Sequence, residues 1–507
     1  MKTAILADLH LPDRTDTLKE KILDASLAAI VAGRVDLILG GGDMTGFGTP
    51  AAAERLAGKL RRTGIPFLLT PGNAEYRSGA ETAGQIAGIL RTDTVRGRFV
   101  MLNSALNKLD DEARAQLQKL PGHAVIVTHT PPSYWPESDR ALLAEHEADY
   151  DLLIAGHVHR DSVNGKVRTV RGMDPDKAIG GPPAVMILED LPDGGFRFSE
   201  LEIPGLELAD IRRWNEADRR AFFAGIGISG MNIPLETLEF AAKEHISVFE
   251  LRHSSLDEVG EDALKPALAR WREAGGKILS LHLPDLGWKD GALSGSEAAA
   301  RCIRSAAALG CDRLTLHVPK MSVNDAADPA VREAVLAETA RRIDEANAAG
   351  MVVGIENMHM RKAEKPDGFR RYGYTCEECR AWIAELRARV SRPEMTGFHF
   401  DIGHARNNAP YSSIEPVGTW LADLGPEMNA MHLHQVEKLP AGGFDNHRPL
   451  LTLFGPLISL SSLFAAWKTG RVGRIPMILE IRGGLGPESW ETLRRLILPE
   501  EDGHSPA

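Results

Sequence analysis

A chain of 507 residues has room for two to four domains at roughly 100–200 residues each, or fewer where one is a barrel. Its composition, 43% hydrophobic, 25% charged and 6% aromatic, is that of a folded globular protein and excludes disordered and collagen-like classes. Lys and Arg (59) against Asp and Glu (70) leave −11, and no run of Lys or Arg exceeds two residues, so overall charge attracts neither nucleic acid nor an anionic membrane. Four cysteines do not make a disulfide framework and fit a reducing compartment. Cys376 and Cys379 form a lone C-x-x-C; a zinc knuckle needs a second pair, and Cys302 and Cys311 are wrongly spaced to supply it. The N-terminus runs straight into an apolar strand with no leader-type core, and no apolar stretch reaches about 18 residues, so a cytoplasmic location is expected.

From residue 3 to about 203, apolar runs of four to six residues stop repeatedly at polar or glycine-rich punctuation, the pattern of buried strands. The predicted strands are Ala4–Ala7, Val35–Leu39, Pro66–Thr70, Ala124–Thr128 and Leu152–Ala155, then Lys166–Val170, Ala184–Leu188 and Phe196–Leu201. Asp16–Gly33, Ala51–Arg62 and Ala80–Leu90 have helical spacing, whereas the last three strands follow one another without helices. An α/β sandwich, with sheets packed on each other and helices outside, accounts for that order.

Seven residues of metal-ligand type fall at or just past the C-terminal ends of these strands: Asp8, His10, Asp43, Asn73, His129, His157 and His159. Strand ends in an α/β layer converge on one rim, so the seven are expected to meet there. Carboxylates, imidazoles and an amide suit two divalent ions of the Mn²⁺, Fe or Zn²⁺ kind. A carboxylate shared between two ions holds them about 3.5–4 Å apart, a spacing that clamps phosphorus and activates water. An Asp-x-His or a Gly-Gly-Asp alone is commonly a turn; five such motifs in order, each after a strand, are not.

Asp8-x-His10, Gly41-Gly42-Asp43, Gly72-Asn73, Thr128-His129 and Gly156-His157-x-His159 resemble the calcineurin-like metallophosphoesterase family over about residues 1–203. The resemblance implies that Asp8, His10, Asp43 and His159 hold one metal and Asp43, Asn73, His129 and His157 the other. Asp43 then bridges, and Asp43 and Asn73 carry catalytic roles. Many members have a His directly after the Asn. Here Ala74 stands there, followed by Glu75, which leaves the general acid unassigned and favours a leaving group of low pKa.

Glu202–Arg220 is charged and contains Pro and Gly, and Leu206–Arg220 has the spacing of a connecting helix. The domains are expected at 1–205 and 223–495, with a linker at 206–222 and a tail at 496–507. From residue 223, short apolar strands alternate with long amphipathic helices. Eight strands are predicted: Gly225–Ser229, Ser247–Leu251, Ile278–Leu283, Arg313–Val318, Val352–Glu356, Gly397–Asp401, Ala430–His434 and Met477–Ile481. Segments such as Asp257–Ala274, Ser296–Leu309, Ala330–Ala349 and Cys376–Val390 suit crossover helices. Eight repeats over about 280 residues is the arithmetic of a (β/α)8 TIM barrel. An open doubly wound sheet would carry a glycine-rich phosphate turn after its first strand, and there is none.

Ligand-type residues again sit at strand C-terminal ends, the face on which barrel active sites lie. They are Glu250, His282, His317, Glu356 with Asn357, Asp401 with His404, His432 with His434, and Glu480; Asp445-Asn446-His447 follows the seventh strand. Glu250 and His434 are the weakest members of the set. Residues 223–490 resemble the xylose-isomerase-like barrel superfamily, which includes endonuclease IV and many sugar isomerases and epimerases. Glu356, Asp401, His432 and Glu480 match the four ligands common to most of it, which implies one Mn²⁺ or Co²⁺ and enolising sugar chemistry. His282, His317, His404, Asp445 and His447 match the further ligands of endonuclease IV, which implies a trinuclear zinc site, phosphodiester cleavage and a bridging, catalytic Glu356. His432-Leu433-His434-Gln435 departs from the Asn-Asp that the endonuclease pattern has after the Leu. Arg361-Lys362, Arg370-Arg371-Tyr372 and Tyr374 form a basic-aromatic segment, read as a solvated loop or as a grip on the phosphate of a small substrate.

The resulting expectation is a bifunctional metal-dependent phosphoric ester hydrolase. It pairs a dinuclear phosphodiesterase or phosphatase domain with an endonuclease IV-like barrel holding one to three divalent ions, zinc or manganese, and acts on a phosphorylated sugar or nucleotide-type substrate. The alternative is a phosphoesterase fused to a sugar (phosphate) isomerase or epimerase. A small phosphorylated molecule suits the acidic balance better than long nucleic acid, which needs a positive track, and no membrane partner is expected.

Overall fold

The apolar runs of the first half assemble into two facing sheets, and those of the second half close into a barrel. The structure, a computed structural model, describes residues 1–498 except 91–92, 193, 361–368, 371 and 441, with backbone alone at 369 and 370. It divides into two compact units, Met1–Asp210 with Phe454–Ser462, and Ile211–Leu453 with the chain from Leu463 onward. Among the described residues, no helix is long and apolar enough to cross a membrane.

In the first unit, β1 (Lys2–Leu6), β2 (Leu37–Gly41) and β3 (Phe67–Thr70) pair in parallel. The second sheet holds β4 (Val95–Arg96), β5 (Phe99–Met101), β6 (Ala124–Thr128), β7 (Tyr150–Ala155), β8 (Ser162–Asn164) and β9 (Val167–Thr169), in the order β4-β5-β6-β7-β9-β8. Strands β10 (Met186–Asp190) and β11 (Phe196–Glu200) return to the first sheet and run antiparallel there, giving β11-β10-β1-β2-β3. Ile5, Leu37, Leu39 and Leu68 of one sheet pack on Phe99, Val125, Leu152 and Ile154 of the other. Helices α1 (Leu18–Ala32) and α2 (Pro50–Arg62) cover the outer face of the first sheet, setting Leu23, Ile30, Leu56 and Leu60 against Ala4, Leu6 and Ile38. The strands β4, β5 and β8 escape the sequence pattern because two or three residues set no period.

The eight strands of the second unit are β12 (Ile226–Ser229), β13 (Val248–Arg252), β14 (Ile278–His282), β15 (Arg313–His317), β16 (Val352–Glu356), β17 (Thr396–Asp401), β18 (Met428–Leu433) and β19 (Met477–Leu479). All are parallel, each pairs with its successor, and β19 closes on β12 through Ile226–Met477 and Ile228–Leu479. The predicted helix at Leu206–Arg220 is instead two 3-10 turns, Leu206–Ala209 and Ile211–Arg213, followed by a helix at Glu216–Phe223. Asn215 starts that helix by accepting the Asp218 amide at 2.9 Å, a cap that spacing alone does not register. The predicted helix at Asp257–Ala274 likewise falls across two helices, His253–Glu258 and Glu261–Glu273, parted at Gly260 with φ +81°.

In the basic-aromatic segment, Tyr372 and Tyr374 are buried rather than solvated. Arg361, Lys362, Arg371 and the Arg370 side chain lie outside the described residues. Cys376 and Cys379 are buried, and burial pushes both thiols up, so they are packing residues rather than reactive ones.

Ile154 is 0% exposed between the two sheets, one strand residue short of the loop that carries His157 and His159. Ile154→Ala is expected to cost about 2–5 kcal/mol through lost contacts and the cavity left behind. Urea unfolding followed by far-UV circular dichroism reads this as an earlier transition; an unchanged transition would mean that the sheets do not depend on this contact.

Candidate metal centres

The donors of the first unit leave their strands on loops with unusual backbone. Asp8, His10, Asp43, His157 and His159 all have positive φ, between 49° and 70°. Such a conformation costs roughly 1–3 kcal/mol in a residue with a side chain and persists where the surroundings over-determine it. Hydrogen bonds between the loops do so here: the Asp8 amide donates to Gly42 at 3.0 Å and the His10 amide to Asp43 at 2.9 Å. Two glycines permit the close approach. A Cβ on Gly72 would lie 2.2 Å from the Asp43 amide nitrogen, and one on Gly172 would lie 2.7 Å from His159 Nδ1.

All seven predicted donors meet in the cage that results. Asp43 is central, with Oδ1 3.4 Å from His129 Nε2 and Oδ2 3.7 Å from His10 Nε2. Asp8 accepts the His157 amide at 3.0 Å on both oxygens and faces His159 Nε2 at 3.7 Å. The Asn73 side-chain oxygen lies 3.1 Å from both His129 Nε2 and His157 Nδ1. His129 Nδ1 donates to the Gly41 carbonyl at 3.0 Å, which leaves Nε2 as a lone-pair donor toward the cage. Two donor groups are formed, Asp8–His10–His159 and Asp8–Asp43–His129, each with its ligand atoms within 4.8 Å of one another.

Divalent cations fit these residues. Neither His10 nitrogen nor His159 Nδ1 has a hydrogen-bond partner although all three atoms are buried, whereas a structural histidine normally finds one. Burial, and then the Asp43 charge, push the Asp8 carboxyl well up; burial, and then the Lys177 ammonium, push His10 and His159 well down. A cation needs the imidazoles neutral and answers the buried carboxylate charge.

Glu75 braces Asp43. Its buried carboxylate accepts the amides of Gly72 at 2.7 Å, Asp43 at 3.1 Å and Thr45 at 2.7 Å, and the Thr45 hydroxyl at 2.7 Å. It thereby ties the loop carrying Asp43 to the loop carrying Asn73. Burial and the Asp43 charge push Glu75 up to about 7.

In the barrel, strand register sets Arg252 beside His282, His317 beside Glu356, and Asp401 beside His432. Glu356 lies fully buried at the centre. Its Oε2 is 3.0 Å from His282 Nε2 and 3.1 Å from His317 Nε2, while Oε1 is 3.2 Å from His432 Nδ1. The second set is completed by Asp401 Oδ2 at 3.7 Å and Glu480 Oε2 at 3.4 Å from the same His432 nitrogen. His282–His317–Glu356 and Glu356–Asp401–His432–Glu480 are thus two donor groups sharing one carboxylate. Although burial opposes it, His317 and His432 hold the Glu356 carboxyl well below the usual range, and Glu356 and Asp285 raise His317 to about 9. The protons on these imidazoles are the ones a divalent ion displaces.

Surrounding residues decide which atom of each ligand faces inward. Glu250 takes His432 Nε2 at 2.9 Å, leaving Nδ1 for the centre. Asp285 takes His317 Nδ1 at 2.5 Å and Lys320 on its other oxygen, and Arg252 holds Glu480 Oε1. The Asn357 side chain accepts the Asp401 amide at 2.7 Å and donates to the Asp401 carbonyl at 3.0 Å. His434 Nε2 lies 3.1 Å from Asp401 Oδ1, and its Nδ1 meets the His447 amide at 3.0 Å. With both nitrogens engaged, His434 positions Asp401, although it also falls in a group with His447 and Glu480.

The remaining endonuclease-type residues, His404, Asp445 and His447, line one cavity, with the His404 and His447 rings 6.0 Å apart. His404 Nδ1 donates to the Asn357 carbonyl at 3.0 Å, and His447 Nδ1 lies 3.1 Å from Glu480 Oε2. Asp445 faces the guanidinium groups of Arg448 and Arg482 at 3.5 Å each. The two-set cluster opens into a cavity of about 780 Å³ that also reaches Arg252, Lys320, Asn407 and Arg482. That volume lies in the small-molecule range of roughly 300–1,000 Å³. Another cavity of about 700 Å³, in the first unit beside Tyr76, Asn103 and Gln116, contains none of the donors.

Arg252, Asp285, Lys177 and Tyr134, whose ring meets His157 edge-on at 4.9 Å, belong to none of the sequence motifs. Asp285 had a signal, three residues past His282 at a strand end. Lys177 and Tyr134 had none, since only the tertiary loop path brings them to the donors.

Residues 237–497 match the family model described as xylose isomerase-like TIM barrel, and residues 1–161 match that of the calcineurin-like phosphoesterases. The chain therefore belongs to the xylose isomerase-like TIM barrel family, with a calcineurin-like phosphoesterase domain at its N-terminal end; both domains belong to enzyme families. No curated protein matches the chain. Similar solved structures include a D-tagatose 3-epimerase-like protein, 16% identical over 54% of this chain and 96% of its own, TM-score 0.39. They also include the 3-keto-D-glucoside 4-epimerase of E. coli, 15% identical over 54% and 98%, TM-score 0.39. A Thermus thermophilus protein soaked with ZnCl2 is 20% identical over 55% and 99%, TM-score 0.36.

Glu250→Ala frees His432 to rotate and is expected to weaken metal binding at the barrel roughly 10–100-fold, read by equilibrium dialysis against Zn²⁺. Gly72→Ala forces the Asn73 loop off Asp43 and is expected to empty the first centre while the barrel keeps its ions. Wild-type metal content in either variant would contradict the corresponding role.

Proposed function

We propose that the chain is a metal-dependent phosphoric ester hydrolase with two centres. The first unit acts as a phosphodiesterase or phosphatase, and the barrel as a second phosphoester hydrolase of the endonuclease IV type. Both take a small phosphorylated sugar or nucleotide-type molecule. The observation that carries the barrel reading is the division of Glu356, whose two oxygens face different histidine sets. Enolising chemistry needs one ion, and His282 with His317 would then have no ligand role. Four buried free cysteines support a reducing, cytoplasmic setting.

Asp8, His10 and His159, with Asp43, Asn73, His129 and His157, would hold two divalent ions in the first unit; His282, His317, Glu356, Asp401, His432 and Glu480 would hold two in the barrel. Such ions, when bound, polarise a phosphoryl oxygen and generate a nucleophile from water at neutral pH. The protein supplies the geometry. Asp43 would offer an oxygen to each ion of the first pair, Asp8 is fixed by the His157 amide, and the Gly41 carbonyl sets the His129 tautomer. Ala74 has no proton to give the departing oxygen, which favours esters of acidic alcohols. In the barrel, Glu250 and Asp285 set the His432 and His317 tautomers, and Arg252 leaves Glu480 one oxygen for the centre.

A second reading of the barrel, a sugar (phosphate) isomerase or epimerase, is favoured by the completeness of the Glu356–Asp401–His432–Glu480 set. Replacing His282 and His317 together by Ala separates the two. Hydrolysis by the barrel would be lost on the first reading, whereas a one-ion isomerase would keep turning over ketose and aldose substrates.

Asp43→Asn and Glu356→Gln, made separately in the full chain, are each expected to lower hydrolysis at their own centre by at least about two orders of magnitude. The assay uses bis-p-nitrophenyl phosphate and a panel of sugar phosphates and nucleotides after loading with Mn²⁺ or Zn²⁺. Wild-type rates in both variants would contradict the proposal.

A further inference from the structure

Of the seven donors in the first unit, Asp8, His10, Asp43 and His129 are buried, whereas Asn73, His157 and His159 are partly exposed. The cage therefore opens on the side of those three, and a substrate enters and a leaving group departs there. An aromatic ring stands at that opening. Tyr134 meets His157 edge-on, with ring centroids 4.9 Å apart and planes at 84°. His157 Nδ1 is 3.1 Å from the Asn73 side-chain oxygen, which puts the ring beside the His157–Asn73 part of the opening.

The ring is placed from the strand that carries His129. Past that donor the chain runs Thr130-Pro131-Pro132-Ser133-Tyr134-Trp135 through a short 3-10 turn. In it the Tyr134 amide donates to the Pro131 carbonyl and the Trp135 amide to the Pro132 carbonyl, each at 3.0 Å. Trp135 is the anchor: its indole is buried, and Nε1 donates to the Thr130 carbonyl and hydroxyl at 3.0 Å each. Ser104 Oγ accepts the amides of His129 at 3.1 Å and Thr130 at 2.9 Å, tying the same segment to the donor. Beside this buried anchor, Tyr134 keeps 47% of its surface in solvent. A tyrosine on a fixed turn offers a large contact area at low entropic cost, because only two side-chain torsions remain to be ordered.

Two separate features then point to one class of ester. Ala74 offers the departing oxygen no proton, which favours a leaving group that is acidic for an alcohol, as phenols are. Tyr134 stands one side chain away from the phosphoryl-binding cage, so a ring stacked on it lies within a few bonds of phosphorus. That distance suits a ring bonded to the ester oxygen itself rather than a base carried beyond a sugar. We propose that Tyr134 is a specificity-determining residue of the first centre, a platform on which the ring of an aryl phosphoester stacks. The assignment rests on the phosphoesterase reading and deepens it by naming the class of leaving group.

Tyr134→Ala and Tyr134→Phe, in the full chain loaded with Mn²⁺, test it with phenylphosphonate and methylphosphonate, two inhibitors alike but for the ring. Tyr134→Ala is expected to raise the inhibition constant of phenylphosphonate about 10-fold, the span of an aromatic stack, and to leave that of methylphosphonate unchanged. Tyr134→Phe is expected to keep the wild-type values for both, and both variants to keep their metal. AMP, whose ring lies a sugar away from phosphorus, is expected to follow methylphosphonate. Equal changes for the two phosphonates in Tyr134→Ala, or none, would overturn the assignment, and a loss confined to AMP would replace the aryl ester by a nucleotide. A matching loss in Tyr134→Phe would also overturn it, by making the hydroxyl the working group. So would loss of bound metal in Tyr134→Ala, which would make the ring a support of His157. A wild-type chain that neither hydrolyses p-nitrophenyl and bis-p-nitrophenyl phosphate nor binds phenylphosphonate would remove the phosphoesterase reading itself. An active wild type beside an unaffected Tyr134→Ala would remove the platform alone.

Discussion

A carboxylate buried among imidazoles is tolerable only when its charge is answered from every side. Asp43 and Glu356 are both in that position, and each answers it by pointing its two oxygens at different histidines. A carboxylate so divided is the geometry that holds two cations at short range, and the rest of each unit serves to keep it divided. In the first unit the work falls to backbone: five donors in left-handed conformation, the crossed amides of Asp8 and His10, and the Glu75 brace under Asp43. In the barrel it falls to side chains, with Glu250, Asp285, Asn357, Arg252 and His434 each holding a ligand from behind.

The difference follows from the folds. Donors on parallel barrel strands are already aimed at a common axis, so their backbone needs no strain and only the ring or carboxylate rotation has to be fixed. Donors on the loops of a sandwich must be turned inward one by one, which left-handed residues and closely packed glycines accomplish at a local cost. His447, the barrel ligand-type residue with φ +60°, lies in a two-stranded hairpin beyond the seventh barrel strand.

Much of this was legible in the sequence because strand ends and ligand-type residues coincide. Gly41-Gly42-Asp43, Gly72-Asn73 and Gly156-His157-x-His159 name their own geometry, since the glycines are where a Cβ would strike Asp43 or its neighbours. The eight barrel strands are three to six residues long and mostly buried, which is what the apolar runs register. Spacing brings His404, Asp445 and His447 to the rim of one cavity, but it does not show that Arg448 and Arg482 also face Asp445. Glu250 and His434 stand on the correct rim, but whether such a residue touches an ion or the ligand beside it depends on ångström distances. Tyr134 left no trace, because an aromatic residue in a loop acquires meaning only from what stands beside it.

Electron paramagnetic resonance of the full chain loaded with Mn²⁺ addresses the divided carboxylates most directly. The account predicts magnetically coupled ion pairs in both units, at the separation of about 3.5–4 Å that a shared carboxylate imposes. Spectra showing only the hyperfine pattern of isolated Mn²⁺ ions at full loading would contradict it.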